Sequence, residues 1–141
     1  MEEQGGPVFN WIAIGVAALS SLLMGMIYYH KNIIGTLWMK ETGMTPEKGK
    51  SMNMPVVLIM SAVLAFLVGT ALTLNVQHGG PEYQTFKHGA YHGAMTGIFM
   101  AIPIIGVPAM FEMKSWSYIL INAGYWILTM AVMGGIICAW H

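Results

Sequence analysis

Four runs of about twenty apolar residues leave this chain few ways to fold. They cover 10–29, 55–77, 86–108 and 117–140. Each is long enough to cross the roughly 30 Å hydrocarbon core of a bilayer as a helix. Lipid offers no hydrogen bonds, so a crossing segment must satisfy its own backbone, and a helix does this within one segment. The alternating polar and apolar pattern of an outer-membrane strand does not occur. Composition agrees: the chain is 56% hydrophobic and 9% charged, whereas a soluble domain carries about a quarter charged residues. The expected fold is all-α, an integral membrane four-helix bundle forming a single membrane domain over 1–141. The bilayer is its first partner. With six Lys, six Glu and no Arg, no basic patch points to nucleic acid.

The loops set an expected orientation. Loop 30–54 holds Lys31, Lys40, Lys48 and Lys50, the loop near 109–116 holds Lys114, and the short loop 78–85 holds no lysine. The positive-inside rule puts the two lysine-bearing loops in the cytoplasm of a bacterial inner membrane and both termini outside. Lys87 is then the one lysine on the outer side. Aromatic residues mark both boundaries: Trp11, Tyr83, Tyr91 and Trp140 at one, Tyr28, Tyr29, Trp38, Trp116 and Tyr118 at the other. The acidic start "MEEQGGPV" lacks a basic signal-peptide region, so the first apolar run is expected to stay as an anchor. In "KNIIGTLWMKE", Ile33, Ile34, Leu37 and Trp38 recur at helical spacing, which predicts a short amphipathic helix in the headgroup region. Gly43 suits the end of that helix, and Thr45-Pro46 the start of another.

Small residues recur every fourth position within the spans. Gly89, Gly93 and Gly97 form one row, Ser61, Ala65, Gly69 and Thr73 a second, and Ala17, Ser21 and Gly25 a third. Helices in lipid associate through close backbone contact, which only small residues permit. The rows are expected to pack helices within the chain, with one seam left for a second copy. Pro103, Gly106 and Pro108 should kink the third span or end it early.

The third span begins with "KHGAYHGAMTG". His88 and His92 lie about 40° apart on one helical face, flanking the glycine row. Two imidazoles so placed can share a divalent metal if further ligands approach, and His78 and Glu82 precede them on the same side. His141 and Cys138 are expected at that side too. The pair could instead relay protons; a haem ligand is a further option that no attachment motif selects. The plainest reading is histidines hydrogen-bonded at headgroup depth with no ligand at all. A second polar group is expected at the opposite boundary. Asn122, Tyr125, Trp126 and Thr129 share a face of the fourth span, and Asn122 needs a hydrogen-bond partner in lipid. Glu112 can pair with Lys114, or join Asn122, Tyr28 and His30 in a polar vestibule.

Several chemistries find no support. There is no nucleophile elbow, phosphate-binding loop or zinc-protease motif. Cys138 is the sole cysteine, so no intrachain disulfide can form. The fourteen methionines are scattered, which fits apolar filler better than a copper site.

The stretches "NWIAIGVAALSSLLMGMIYY", "GTLWMKETGMT", "HGAYHGAMTGIFMAIP" and "FEMKSWSYILINAGYWILTMAVMGGIICAW" resemble the bacterial domain-of-unknown-function 1761 family, small proteins with four membrane helices. The resemblance implies that Asn10, Trp11, Trp38, Glu112, Asn122, Gly124, Tyr125 and Gly134 occupy family-type positions. It implies no reaction and names no catalytic residue. The expected function is therefore a small homo-oligomeric transport or conduction module for an ion, proton or small solute. Its candidate polar residues are His88, His92, Glu112, Asn122 and Tyr125. One alternative is an accessory subunit of a larger membrane complex. The other is a histidine-based metal-binding enzyme or sensor, with His78, His88, His92 and Glu82 as ligands of a divalent ion.

Overall fold

The computed structural model describes residues 7–140, and these are mostly helical with no strand among them. The long helices are α1 (Trp11–Tyr28), α4 (Met54–Val76), α5 (Phe86–Thr96), α6 (Ile102–Phe111) and α7 (Trp116–Ala139); α2 (Thr36–Thr42) and α3 (Pro46–Lys50) are short. A π-helical turn, Gly97–Ala101, joins α5 to α6, so Phe86–Phe111 forms one continuous span. Four helices are thus long and apolar enough to cross a membrane, which makes this a multi-pass membrane protein. Their outward side chains agree: Ile12, Leu19, Leu23, Ile59, Leu67, Phe99 and Ile104 are exposed, and a water-soluble chain buries such residues.

Polar caps explain where the spans begin. Each helix start leaves backbone N–H groups without partners, and a side-chain oxygen satisfies one of them. Asn10 accepts from Ala13 N, Asn53 from Val56 N, Thr85 from His88 N and Ser115 from Tyr118 N. In the loop after α1, Gly43 closes α2 in the left-handed region at φ 72°, and Thr45 caps α3 ahead of Pro46.

The third span neither ends at Pro108 nor breaks at Pro103. The π-turn widens the backbone just before Pro103, which then sits at the start of α6, where its missing N–H matters least. Pro108 lies inside α6, which runs on to Phe111.

Helix α7 is the hub. About 44% of its most apolar window is buried, against 28% or less in the other spans, and α1, α4 and α5 all pack on it. Ile14, Leu72, Val76, Met130, Met133 and Ile137 form the core. The α5–α7 seam is the closest. A Cβ added at Gly89 would overlap Gly134 O, one at Gly93 would overlap Met130 O, and one at Gly97 would stand 2.8 Å from Ile127 Cα. The small residues of α4 face inward as well: Ala65 and Thr73 are buried, and a Cβ on Gly69 would meet Ile14 Cγ2 at 3.1 Å. Ser61, earlier in that row, is only half-buried. The pairings of Gly89 with Gly134 and Gly97 with Ile127 make α5 antiparallel to α7. One end of the molecule therefore gathers the start of α1, the end of α4, the start of α5 and the end of α7.

Candidate metal centre

Three imidazoles meet at that end. His78 follows α4, and His88 and His92 sit one turn apart on α5. One nitrogen from each ring lies within 4.8 Å of the other two. The ring centroids are 4.9 Å apart for His78–His88, 4.5 Å for His78–His92 and 4.4 Å for His88–His92.

Local sequence builds this meeting. Thr85 caps α5 by accepting from His88 N at 3.1 Å, which fixes the helix start directly before His88. His92 follows one turn later because the chain stays helical. His78 is brought over by the loop 77–85. Gly79 turns the chain in the left-handed region at φ 85°, and a Cβ there would strike the Tyr83 ring at 2.6 Å; glycine meets both requirements. The Tyr83 ring in turn leans on His88 at 5.4 Å, and Tyr91 meets His92 edge-on at 5.2 Å. Cys138 Sγ packs beneath the loop, its single S–H within reach of Val76 O at 3.5 Å and Tyr83 O at 3.3 Å. Val8 N donates to Gln77 Oε1 at 2.8 Å.

The three histidines differ in burial. His78 is exposed, and His88 and His92 are partly buried. Within His88, Nε2 is fully shielded and has no hydrogen-bond partner among the described residues. An imidazole nitrogen in that position costs free energy unless something binds it, so each such atom in a native fold needs an explanation. Zinc holds its ligand nitrogens at about 2.0–2.1 Å, which puts tetrahedral ligands roughly 3.4 Å from one another. From a spacing within 4.8 Å, small ring rotations close the gap, and the exposed His78 has room to make one.

Of the other expected ligands, Glu82 stands outside the group of three. It lies in the 3-10 turn Pro81–Tyr83, with its carboxylate folded back over Gly80. Cys138 is buried and engaged with the loop carbonyls rather than with the rings. His141 lies outside the described residues.

The remaining candidates assemble at the opposite end. Tyr29 Oη donates to Asn122 Oδ1 at 2.8 Å, and Asn122 Nδ2 donates to Tyr118 O at 3.1 Å. Tyr125 Oη donates to Ser21 O at 2.8 Å, and Tyr28 Oη donates to Ile121 O at 2.7 Å. The last two bonds are reciprocal, since each helix sends a phenol to a carbonyl of the other. The two glycines beside them leave the space: a Cβ on Gly25 would stand 3.6 Å from the Tyr125 ring, and one on Gly124 would meet Tyr28 Oη at 2.7 Å. Asn122 and Tyr125 are thus parts of a clasp between α1 and α7. Glu112 does not join them. It is exposed at the end of α6, and Lys114 Nζ lies over the Tyr118 ring at 5.5 Å. Of the expected vestibule, Tyr28 and Asn122 come together in this clasp, whereas Glu112 and His30 are exposed and make no hydrogen bond to it among the described residues.

Sequence reasoning passed over Tyr28 as a clasp member and Gly79 as the pivot of the histidine loop. The "HGG" that follows α4 held a readable signal for the pivot, as glycine pairs mark reversals. No sequence signal shows which carbonyl a distant tyrosine reaches.

No curated protein and no solved structure matches this chain. A family model does, and over nearly its full length. Residues 12–138 match the family described as "Protein of unknown function (DUF1761)", and the chain belongs to it.

Proposed function

We propose that this chain is a histidine-based metal-binding membrane protein, with His78, His88 and His92 holding one divalent transition ion at the membrane boundary. The observation that carries the reading is the group His78, His88 and His92, one nitrogen of each within 4.8 Å of the other two, with His88 Nε2 buried and without a partner among the described residues. Imidazole suits zinc, copper and nickel, whereas calcium and magnesium prefer oxygen. Three protein ligands with a position left over is the pattern of reactive or ligand-binding zinc sites, in contrast to closed structural ones. The reading is therefore of an enzyme or sensor type.

The transport reading draws less support. Its candidate residues fall into two groups at opposite ends, and about 18 Å of α7 separates Asn122 from Gly134 beside the histidines. Met130, Met133, Ile137, Leu72 and Ile14 fill the core between them. An accessory role in a larger complex is compatible with the packing, but no particular contact favours it.

The test is metal analysis of protein purified in detergent without chelator and then dialysed against zinc or cobalt. An equimolar bound ion is expected, lost in the His88→Ala/His92→Ala double variant. Cobalt absorption should be of the intense four-coordinate type. A well-folded protein that returns metal-free after this treatment overturns the proposal.

A further inference from the structure

We infer that Tyr83 is the positioning residue of the histidine centre: its ring braces the segment that carries His78 against the imidazole of His88, and so governs how closely the three nitrogens converge on an ion. This role rests on the metal reading above and deepens it.

The three ligands are not held equally. His88 and His92 are one turn apart on α5, so the helix itself fixes their relation. His78 lies in the loop after α4 and is exposed, and its distance from the other two depends on how that loop is propped. Tyr83 touches both parties. A Cβ on Gly79, the residue next to His78, would stand 2.6 Å from Tyr83 Cδ2 and 3.2 Å from its Cγ, so the ring rests on bare backbone there. The same ring lies 5.4 Å from the His88 ring, tilted by 49°, within the range of direct aromatic contact.

A prop needs a footing of its own, and Tyr83 has two. Its N–H donates to Gly80 O at 3.0 Å, which closes the short 3-10 turn Pro81–Tyr83. Pro81 opens that turn with a fixed φ. The Tyr83 carbonyl oxygen lies 3.3 Å from Cys138 Sγ, near the end of α7, the helix on which the others pack. The ring position is therefore referred to the hub of the bundle rather than to the loop alone.

Tyr91 offers the natural contrast. Its ring meets that of His92 at 5.2 Å, and it too is exposed. But Tyr91 adjoins His92 on one helix, so it adds nothing to a spacing that α5 already sets. Both tyrosines suit an interfacial aromatic belt; Tyr83 in addition bridges two ligand-bearing segments.

The experiment uses the full chain in maltoside detergent with cobalt as the reporter metal. Binding by the wild-type protein is recorded first; its failure removes the metal reading before any variant is compared. Cobalt affinity is then measured for Tyr83→Ala, Tyr83→Phe and Tyr91→Ala, alongside thermal unfolding of each metal-free protein. Tyr83→Ala should weaken binding about tenfold, the lower end of what groups behind a ligand contribute. Tyr83→Phe keeps the ring and should match wild type, as should Tyr91→Ala. A purely structural role would lower the unfolding temperature and leave the cobalt affinity of the folded protein unchanged. Should Tyr83→Ala not fold, Tyr83→Leu, which keeps apolar bulk without the flat face, is read the same way. Gly79→Ala supplies an independent check. Its methyl group displaces the ring and also strains the backbone at φ 85°. It should weaken cobalt binding more in the wild type than in the Tyr83→Ala background, because the clash needs the ring. Wild-type cobalt affinity in Tyr83→Ala overturns the inference and leaves the metal centre standing. So does an equal loss in Tyr91→Ala, which would mark both rings as anchors, or an effect of Gly79→Ala that is the same in both backgrounds.

Discussion

His88 is the residue on which the site turns. Its backbone N–H is held by Thr85 and its ring meets His78, His92 and Tyr83, yet its buried nitrogen has no partner among the described residues. If the histidines hold a metal as proposed, removing one of them should matter more than removing a group behind a ligand, which typically lowers metal affinity 10–100-fold. His92→Ala is therefore expected to weaken zinc binding by more than about 100-fold, measured by competition with a chromophoric chelator. Gly93 is decisive in another way. A methyl group there has nowhere to go, because the atom in its path is a backbone carbonyl rather than a flexible side-chain tip. Gly93→Ala should destabilise the protein by about 3 kcal/mol. Gly15→Ala, with nothing within 4 Å of the new Cβ, should be close to neutral. Thermal unfolding of both variants in the same detergent checks the contrast.

Between elements, the notable device is the phenol clasp of α1 and α7. Each hydroxyl bonds a carbonyl that already serves its own helix, so the clasp joins two helices without opening either. Interhelical hydrogen bonds in membranes average about 0.6 kcal/mol. Tyr125→Phe keeps the ring and loses the bond, and should cost about that much. Tyr28→Phe should behave alike, and the double variant should be near the sum of the two. Denaturant unfolding of the three proteins tests this, and a double variant several kcal/mol worse would mean the hydroxyls act through something else. At the same end, Ser115 caps α7 while its hydroxyl contacts Glu41 Oε2 on α2. Ser115→Ala removes both the cap and the tie to α2. The expected loss is about 1 kcal/mol, with faster backbone exchange over α2 by hydrogen–deuterium mass spectrometry.

At the scale of the whole molecule, the four long apolar helices place the start of α1, the loop carrying His78 and the end of α7 at one end, with the lysine-rich loop at the other. Positive charge is retained on the cytoplasmic side, so the histidine cluster is predicted to face outward. In intact cells, a membrane-impermeant maleimide should label a Gln84→Cys variant and leave Ser51→Cys unlabelled until the cells are opened. The reverse labelling would place the histidines in the cytoplasm, where the metal supply differs.

Much of this architecture is legible along the chain. Apolar runs of sufficient length, polar caps ahead of them and the Gly43 and Thr45-Pro46 punctuation between α2 and α3 are local properties, set by hydrogen bonding and solvent within a few residues. The pairing of His88 with His92 is local too, because one helical turn relates them. The arrival of His78 is not, since it depends on how a loop folds around Gly79 and on carbonyls that Cys138 holds from another helix. The same limit explains the expected vestibule. Glu112, Asn122, Tyr28 and His30 share a boundary by sequence depth, but depth says nothing about rotation around the helix axis. Packing chose the rotation, turning two phenols toward helix carbonyls and leaving Glu112 outside. Sequence alone determined that four helices are long and apolar enough to cross a membrane, because that depends on each segment's own composition; only tertiary structure decided which polar groups meet, because that depends on how neighbouring helices pack against one another.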